Sequence, residues 1–120
     1  MSHWYARPVL CVADIERTLG FYTEQLGFTE AWRYAEDGKA MVAQADREGC
    51  ALIFSAQWPE RAGSGLMFLS LDPPVLEAVR TELEARGVPV TDGHWGYPVM
   101  IVTDPDGNRL FFAYPNPPEA

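Results

Sequence analysis

Few side chains in this 120-residue chain could do chemistry at neutral pH: two histidines, His3 and His94, and two cysteines, Cys11 and Cys50. His3 stands near the start of the chain, outside any element. His94 stands in a loop beside Trp95 and Gly96, where three roles are open: a loop-bonded imidazole, a ligand contact, or a metal or proton-transfer group. The two cysteines fall inside apolar, strand-like runs without the spacing of a zinc site or a disulfide framework, so they read as buried free thiols. That points to a reducing compartment. With 17 acids against 9 bases the formal net charge is −8, and eight of the nine bases are Arg, Lys39 being the single Lys. Such a balance argues against a phosphate-backbone partner, because nucleic-acid binders carry a basic face. It would draw a cationic ligand instead. The other chemistry on offer is stacking: Trp32, Trp58 and Trp95 are candidates to hold flat heteroaromatic groups, each good contact adding roughly 0.5–1.5 kcal/mol beyond area burial. For each Trp the competing role is core packing.

The elements that must position these groups are organised around residues 103–114, TDPDGNRLFFAY. Pro105 fixes φ, Asp104 can bond its own backbone and Gly107 supplies a positive φ, so 104–108 reads as a hairpin turn between strands 99–103 and 109–114. Asp46-Arg47-Glu48-Gly49 ahead of an apolar strand 50–56 has the same shape. Residues 5–12 read as a strand with Arg7, Val9 and Cys11 on one face and Pro8, Leu10 and Val12 on the other. Asp14 opens a helix to about Leu26, with Ile15, Leu19, Tyr22 and Leu26 as its apolar stripe and Gly27 as its stop. Strands 28–34 and 39–45 are joined by an Asp37-Gly38 hairpin turn.

Residues 57–64 contain Pro and Gly without periodicity and read as a linker, after which the pattern restarts. A strand at 65–71 leads to a helix with Asp72 as N-cap, Pro73 at its first position and Val75, Leu76, Val79 and Leu83 as its stripe. Gly87 closes it. A short strand 88–90, a loop 92–97 and the final hairpin follow, with 115–120 as a frayed tail. Gly27 to Gly49 is 22 residues and Gly87 to Gly107 is 20, so the chain looks doubled. The expected fold is α+β, two tandem βαβββ modules in one domain spanning 1–120: module one at about 4–57, a linker at 58–64 and module two at about 65–116. A hydrophobic content of 48% suffices for a core without staples. The N-terminus lacks a basic segment followed by an apolar stretch, and no run approaches the length of a membrane span, so the expected location is the cytoplasm.

The motif V-x-D-I-E-R-T-L-x-F-Y at Val12–Tyr22, L-G-F at Leu26–Phe28, W-G at Trp95–Gly96 and D-P-D-G-N-R-L at Asp104–Leu110 resemble the vicinal oxygen chelate superfamily. That superfamily includes glyoxalase I, extradiol dioxygenases, fosfomycin-resistance transferases and bleomycin-resistance proteins. The resemblance implies paired modules forming a curled mixed sheet around a cleft, helices on the outer face, commonly in homodimers. Metal-dependent members place His, Glu or Gln at four inward positions. Mapped by distance from Asp14 and the two Gly turns, these are Arg7, Ile53, Leu66 (or Gly65 if the register slips) and Phe111. A guanidinium and three apolar side chains offer no imidazole nitrogen or carboxylate oxygen, so no metal and no cofactor is expected.

Ile53, Phe111, Val9 and Cys11 then give an apolar, partly aromatic cleft with Arg7 as its lone charge, either touching ligand or paired with an acid. The chain is most similar to the metal-free bleomycin-resistance proteins. The reading this supports is a small-molecule binding protein that sequesters a bleomycin-type antibiotic, a cationic aromatic ligand, without catalysis. The candidate binding residues are Arg7, Val9, Cys11, Trp32, Ile53, Trp58, Leu66, His94, Trp95 and Phe111. The alternative is a metal-dependent lyase, isomerase or transferase of the glyoxalase kind, its site built from His94 and acids such as Glu30, Glu48 or Asp92.

Overall fold

The computed structural model describes residues 4–96 and 98–114; His3, Tyr97 and the tail 115–120 lie outside the described residues. The order of elements is β1 (Val9–Cys11), α1 (Ile15–Gly20) running into a π-helical turn (Phe21–Gln25), β2 (Thr29–Glu36), β3 (Lys39–Arg47), β4 (Cys50–Ser55), a 3₁₀ turn (Pro59–Arg61), β5 (Leu66–Ser70), α2 (Pro73–Ala85), β6 (Thr91–His94), β7 (Pro98–Thr103) and β8 (Arg109–Ala113). These form two βαβββ modules, each with its own four-stranded mixed sheet, ordered β1-β4-β3-β2 and β5-β8-β7-β6. In each, the first strand runs parallel to the fourth and the rest is an antiparallel meander.

Local chemistry accounts for the boundaries. Asp14 caps α1, its Oδ1 accepting from the Arg17 N–H at 3.0 Å, and Ile15, Leu19, Tyr22 and Leu26 are all buried as their spacing requires. The helix widens after Gly20, where the Leu26 N–H reaches the Phe21 carbonyl. Asp72 holds the N-cap position of α2 but makes no side-chain bond; Pro74, the second helical residue, removes one of the two N–H groups that an N-cap side chain serves. Leu76, Val79 and Leu83 carry the stripe, while Val75, expected in it, is 48% exposed.

The short strand expected at 88–90 does not form. The Val88 N–H bonds the Leu83 carbonyl and the Gly87 N–H bonds the Glu84 carbonyl, a Schellman closure that uses buried Val88 to end the helix. The strand begins at Thr91 and takes in residues 91–94 of the segment expected to be a loop. The two hairpin turns expected to match also differ. At the β3–β4 corner Glu48 and Gly49 both have positive φ, as a two-residue type I′ turn requires, and Asp46 lies within β3 rather than in the turn. Residues 104–108 instead form a loop wound around a buried carboxylate: Asp104 Oδ1 accepts the N–H groups of Asp106, Gly107 and Asn108 at 2.9–3.0 Å.

That loop joins the modules. Tyr22 donates its hydroxyl to Asp104 Oδ2 at 3.0 Å; Asn108 donates to the Cys11 carbonyl at 3.0 Å and accepts from the Gly65 N–H at 2.7 Å. Arg17 pairs with Asp106 at 2.7 Å. A second seam has Arg47 bridging Glu82 at 2.8 Å and the Leu26 carbonyl at 2.6 Å, with Arg86 donating to the Gln25 carbonyl. No buried side-chain N or O among the described residues lacks a partner, so the seam is fully satisfied.

Candidate functional site

Strand register separates a packed face from an open one in each sheet. In module one Val9 stands level with Ile53, Ile53 with Gln44 and Gln44 with Trp32, one rung across four strands. The next rung is Cys11, Ser55, Val42 and Tyr34. The alternate positions, Leu10, Phe54, Leu52, Ala43 and Ala45, are buried in the common core. Module two repeats the design: Phe68 stands level with Phe111, Phe111 with Ile101 and Ile101 with Thr91, while Met67, Leu110, Phe112, Met100 and Val102 pack inward.

The register therefore places Val9, Cys11, Trp32 and Ile53 on the open side of module one, where Arg7 joins them through its bond to Gln44, and Leu66 and Phe111 on that of module two. Val9 corresponds to Phe68 and Ile53 to Phe111 across the internal repeat. Trp95, just beyond β6, packs 5.2 Å from the Phe68 ring and edge-on to Phe111 at 5.8 Å. Trp58 lies elsewhere, in the linker ahead of the 3₁₀ turn, with the Arg61 guanidinium over its ring. His94 is in β6 rather than in a loop, and it shares parity with Asp92, which α2 engages through Arg80. It thus points to the helix side, away from the open face.

The open face of module one has a polar hub that single-residue reasoning missed. Gln44 Oε1 accepts from Arg7 Nη1 at 2.8 Å and from Trp32 Nε1 at 3.0 Å, and Gln44 Nε2 donates to Asp46 Oδ1 at 2.8 Å. Two donors on one oxygen and a carboxylate on the nitrogen set the amide orientation, which in turn holds the Trp32 ring. Period-two spacing in β3 puts Val42, Gln44 and Asp46 on one face, but the sequence does not show which polar residue there finds cross-strand partners. Val9, Trp32, Tyr34, Leu66, Phe68 and Trp95 are 37–52% exposed, an unusual concentration of large apolar groups on two sheet faces.

No group of three or more His, Cys, Asp or Glu suited to a metal occurs among the described residues. Glu30 is hydrogen-bonded to Arg33 and Asp92 to Arg80, contacts that hold both carboxyls below their usual range. Glu30 and Glu48 belong to module one and Asp92 and His94 to module two, and no three of the four form a metal-suited group. The donor set of a metal enzyme of this fold does not fit these residues. Burial pushes the Cys50 thiol up, which keeps it protonated and a poor nucleophile.

A cavity of about 390 Å³ opens between the β3–β4 corner and α2, lined by Leu26, Phe28, Cys50, Leu69, Val79 and Phe112 among others. It meets the open face of module two along β5, at Phe68 and Ser70, and its cation, Arg47, is already bonded to Glu82 and Leu26. The open faces, with exposed aromatic rings and a polar hub, are the better candidate site.

A family model for the Glyoxalase/Bleomycin resistance protein/Dioxygenase superfamily matches residues 3–112. No curated protein sequence matches the chain. Among solved structures, an antibiotic-binding protein from Streptomyces sp. CB03234 superposes with a TM-score of 0.73 at 25% identity, covering 97% of this chain and 99% of that one. The bleomycin-binding protein of Streptomyces verticillus, complexed with copper(II)-bleomycin, gives 0.71 at 23% identity with coverage of 97% and 99%. A lactoylglutathione lyase from Agrobacterium tumefaciens gives 0.69 at 17% identity with coverage of 90% and 91%. At these identities the last two establish likeness of fold alone.

Proposed function

The chain belongs to the glyoxalase/bleomycin resistance protein/dioxygenase superfamily, and from that premise we propose that it captures a drug-sized, flat aromatic antibiotic stoichiometrically, as a cytoplasmic homodimer, without metal and without catalysis. The observation that carries this is the pair of open sheet faces: Trp32, Tyr34, Phe68 and Trp95 are exposed where a packed protein would bury them. Arg7, Ile53, Leu66 and Phe111, the positions to which the resemblance maps the ligands of metal-dependent members, supply no donor set. The antibiotic-binding relative at 25% identity supports the same reading.

Affinity would come from stacking and desolvation on these faces, with no nucleophile or general base required. A second copy would cover the apolar area each open face leaves exposed and would turn a face into a cleft. Metal-free bleomycin is the first ligand to try. Native mass spectrometry of chelator-treated protein with that drug should show two chains carrying two intact, non-covalently held drug molecules. A drug recovered with altered mass would contradict capture without chemistry, and a single-chain mass at micromolar concentration would contradict the dimer.

A further inference from the structure

Five of the eight arginines are committed to carboxylates: Arg17 to Asp106, Arg33 to Glu16 and Glu30, Arg47 and Arg86 to Glu82, and Arg80 to Glu84 and Asp92. Among the described residues the other three, Arg7, Arg61 and Arg109, have no carboxylate at salt-bridge distance. Each lies over an aromatic ring instead: Arg7 over Tyr5 at 5.7 Å, Arg61 over Trp58 at 5.9 Å and Arg109 over Phe111 at 5.6 Å. In a chain with 17 acids against 9 bases, an arginine left unpaired is the exception.

Two of the three belong to the candidate site, and they occupy matching levels of the internal repeat. Arg7 precedes Val9 by two residues, below the rung in which Val9 meets Ile53; Arg109 precedes Phe111 by two residues, below the rung in which Phe111 meets Phe68. One module supplies the cation from just ahead of its first strand and the other from its last strand, yet both cations border the central aromatic or apolar rung. The strands of module two place no carboxylate on its open face. Module one places Asp46 there, and Gln44 Nε2 occupies one of its oxygens.

We propose that the open faces select a planar aromatic ligand carrying an anionic group, such as a carboxylate, sulfonate or acidic phenol, seated against Arg7 or Arg109 with its rings on the neighbouring aromatic side chains. This rests on the capture reading and names its ligand class. A guanidinium stacked on a ring still presents N–H groups to a planar anion; Arg7 spends Nη1 on Gln44 and has its remaining N–H groups to offer. The overall charge of −8 acts in the other direction, but exposed charges beyond about 8 Å are screened at physiological ionic strength, whereas a charge-assisted hydrogen bond acts at contact.

Three probes of one shape separate the possibilities: 2-naphthoate, neutral 2-naphthylmethanol and 2-naphthylmethylammonium, titrated calorimetrically into chelator-treated protein. The expected order has naphthoate about tenfold or more tighter than the ammonium, a difference set by one charge-assisted bond. Arg7→Met combined with Arg109→Met should abolish that preference, read as the ratio of naphthoate to ammonium affinity within each protein, while Met keeps an unbranched apolar stem in place. Each single variant should show part of the loss if the double variant folds poorly. Equal or tighter binding of the ammonium, or a naphthoate preference that survives in the folded double variant, would overturn the inference and leave capture standing. If none of the three probes nor bleomycin binds, capture fails and this inference with it.

Discussion

At the scale of single residues, Tyr22 and Asp104 show how a motif legible as a turn acquires a second role. Burial, followed by the Asp104 carboxylate, pushes the Tyr22 hydroxyl far above its ordinary value of 10.0. Tyr22→Phe removes the bond to Asp104 and should cost about 1.5–3 kcal/mol in urea denaturation at neutral pH, the range for a hydrogen bond to a charged group. The pH dependence has a definite sign. Above about pH 10 the unfolded chain releases the Tyr22 proton while the folded chain retains it, so this contribution falls by roughly 1.4 kcal/mol per unit. The wild-type advantage over Tyr22→Phe should therefore shrink as pH rises past that point. In the candidate site, strand alternation together with the positions that the family resemblance maps by distance from the Gly turns leads to Val9, Cys11, Ile53 and Phe111. Gln44 and Arg109 were not legible, since a polar residue at an alternate position looks solvent-facing until its cross-strand partners are known. Exposure also selects the better test. Phe111 is 7% exposed, so Phe111→Ala would open a void costing roughly 3–5 kcal/mol and confound folding with binding. Trp95 is 51% exposed; Trp95→Ala should weaken ligand binding about tenfold, a rim stacking loss, with little change in denaturation midpoint.

At the scale of elements, the strand-helix-strand order was legible because each element carries its own punctuation: Asp14, the Asp37-Gly38 turn, Pro73 and Gly87. Long-range contacts shifted the rest. Residues 88–90 looked like a strand by composition, but the helix closure claims Val88 through its bond to Leu83, and the strand starts only at Thr91. That shift carried His94 from a loop onto the helix side of β6. The linker lacks periodicity in the sequence, yet Gly63 takes a φ of +85° and a Cβ there would stand 2.0 Å from the Asp106 carbonyl oxygen. Its freedom from a side chain lets the linker pass beneath the 104–108 loop, which holds the seam between modules. Gly63→Ala should thus destabilise by about 1–3 kcal/mol or more through combined backbone strain and clash, seen as a lowered melting temperature. An unchanged melting temperature would show that the linker can move aside without loss.

At the scale of the molecule, two copies of one supersecondary unit are joined by a buried polar seam at Asp104, Asn108 and Tyr22, and each presents a face that its own chain leaves uncovered. The duplication was legible from the recurring Asp and Gly positions. How the modules meet was not, because the seam joins residues up to 97 positions apart and no periodicity records such pairs. The uncovered faces are what the capture reading needs and what a self-sufficient core would not have. A tryptophan-fluorescence titration of chelator-treated protein, with metal-free bleomycin and with 2-naphthoate, tests that reading most directly, since Trp32 and Trp95 lie on the two faces. The account predicts a saturable change at one ligand per chain in the absence of any divalent metal. A flat titration with both ligands, or a response that appears only when a divalent metal is restored, would contradict it.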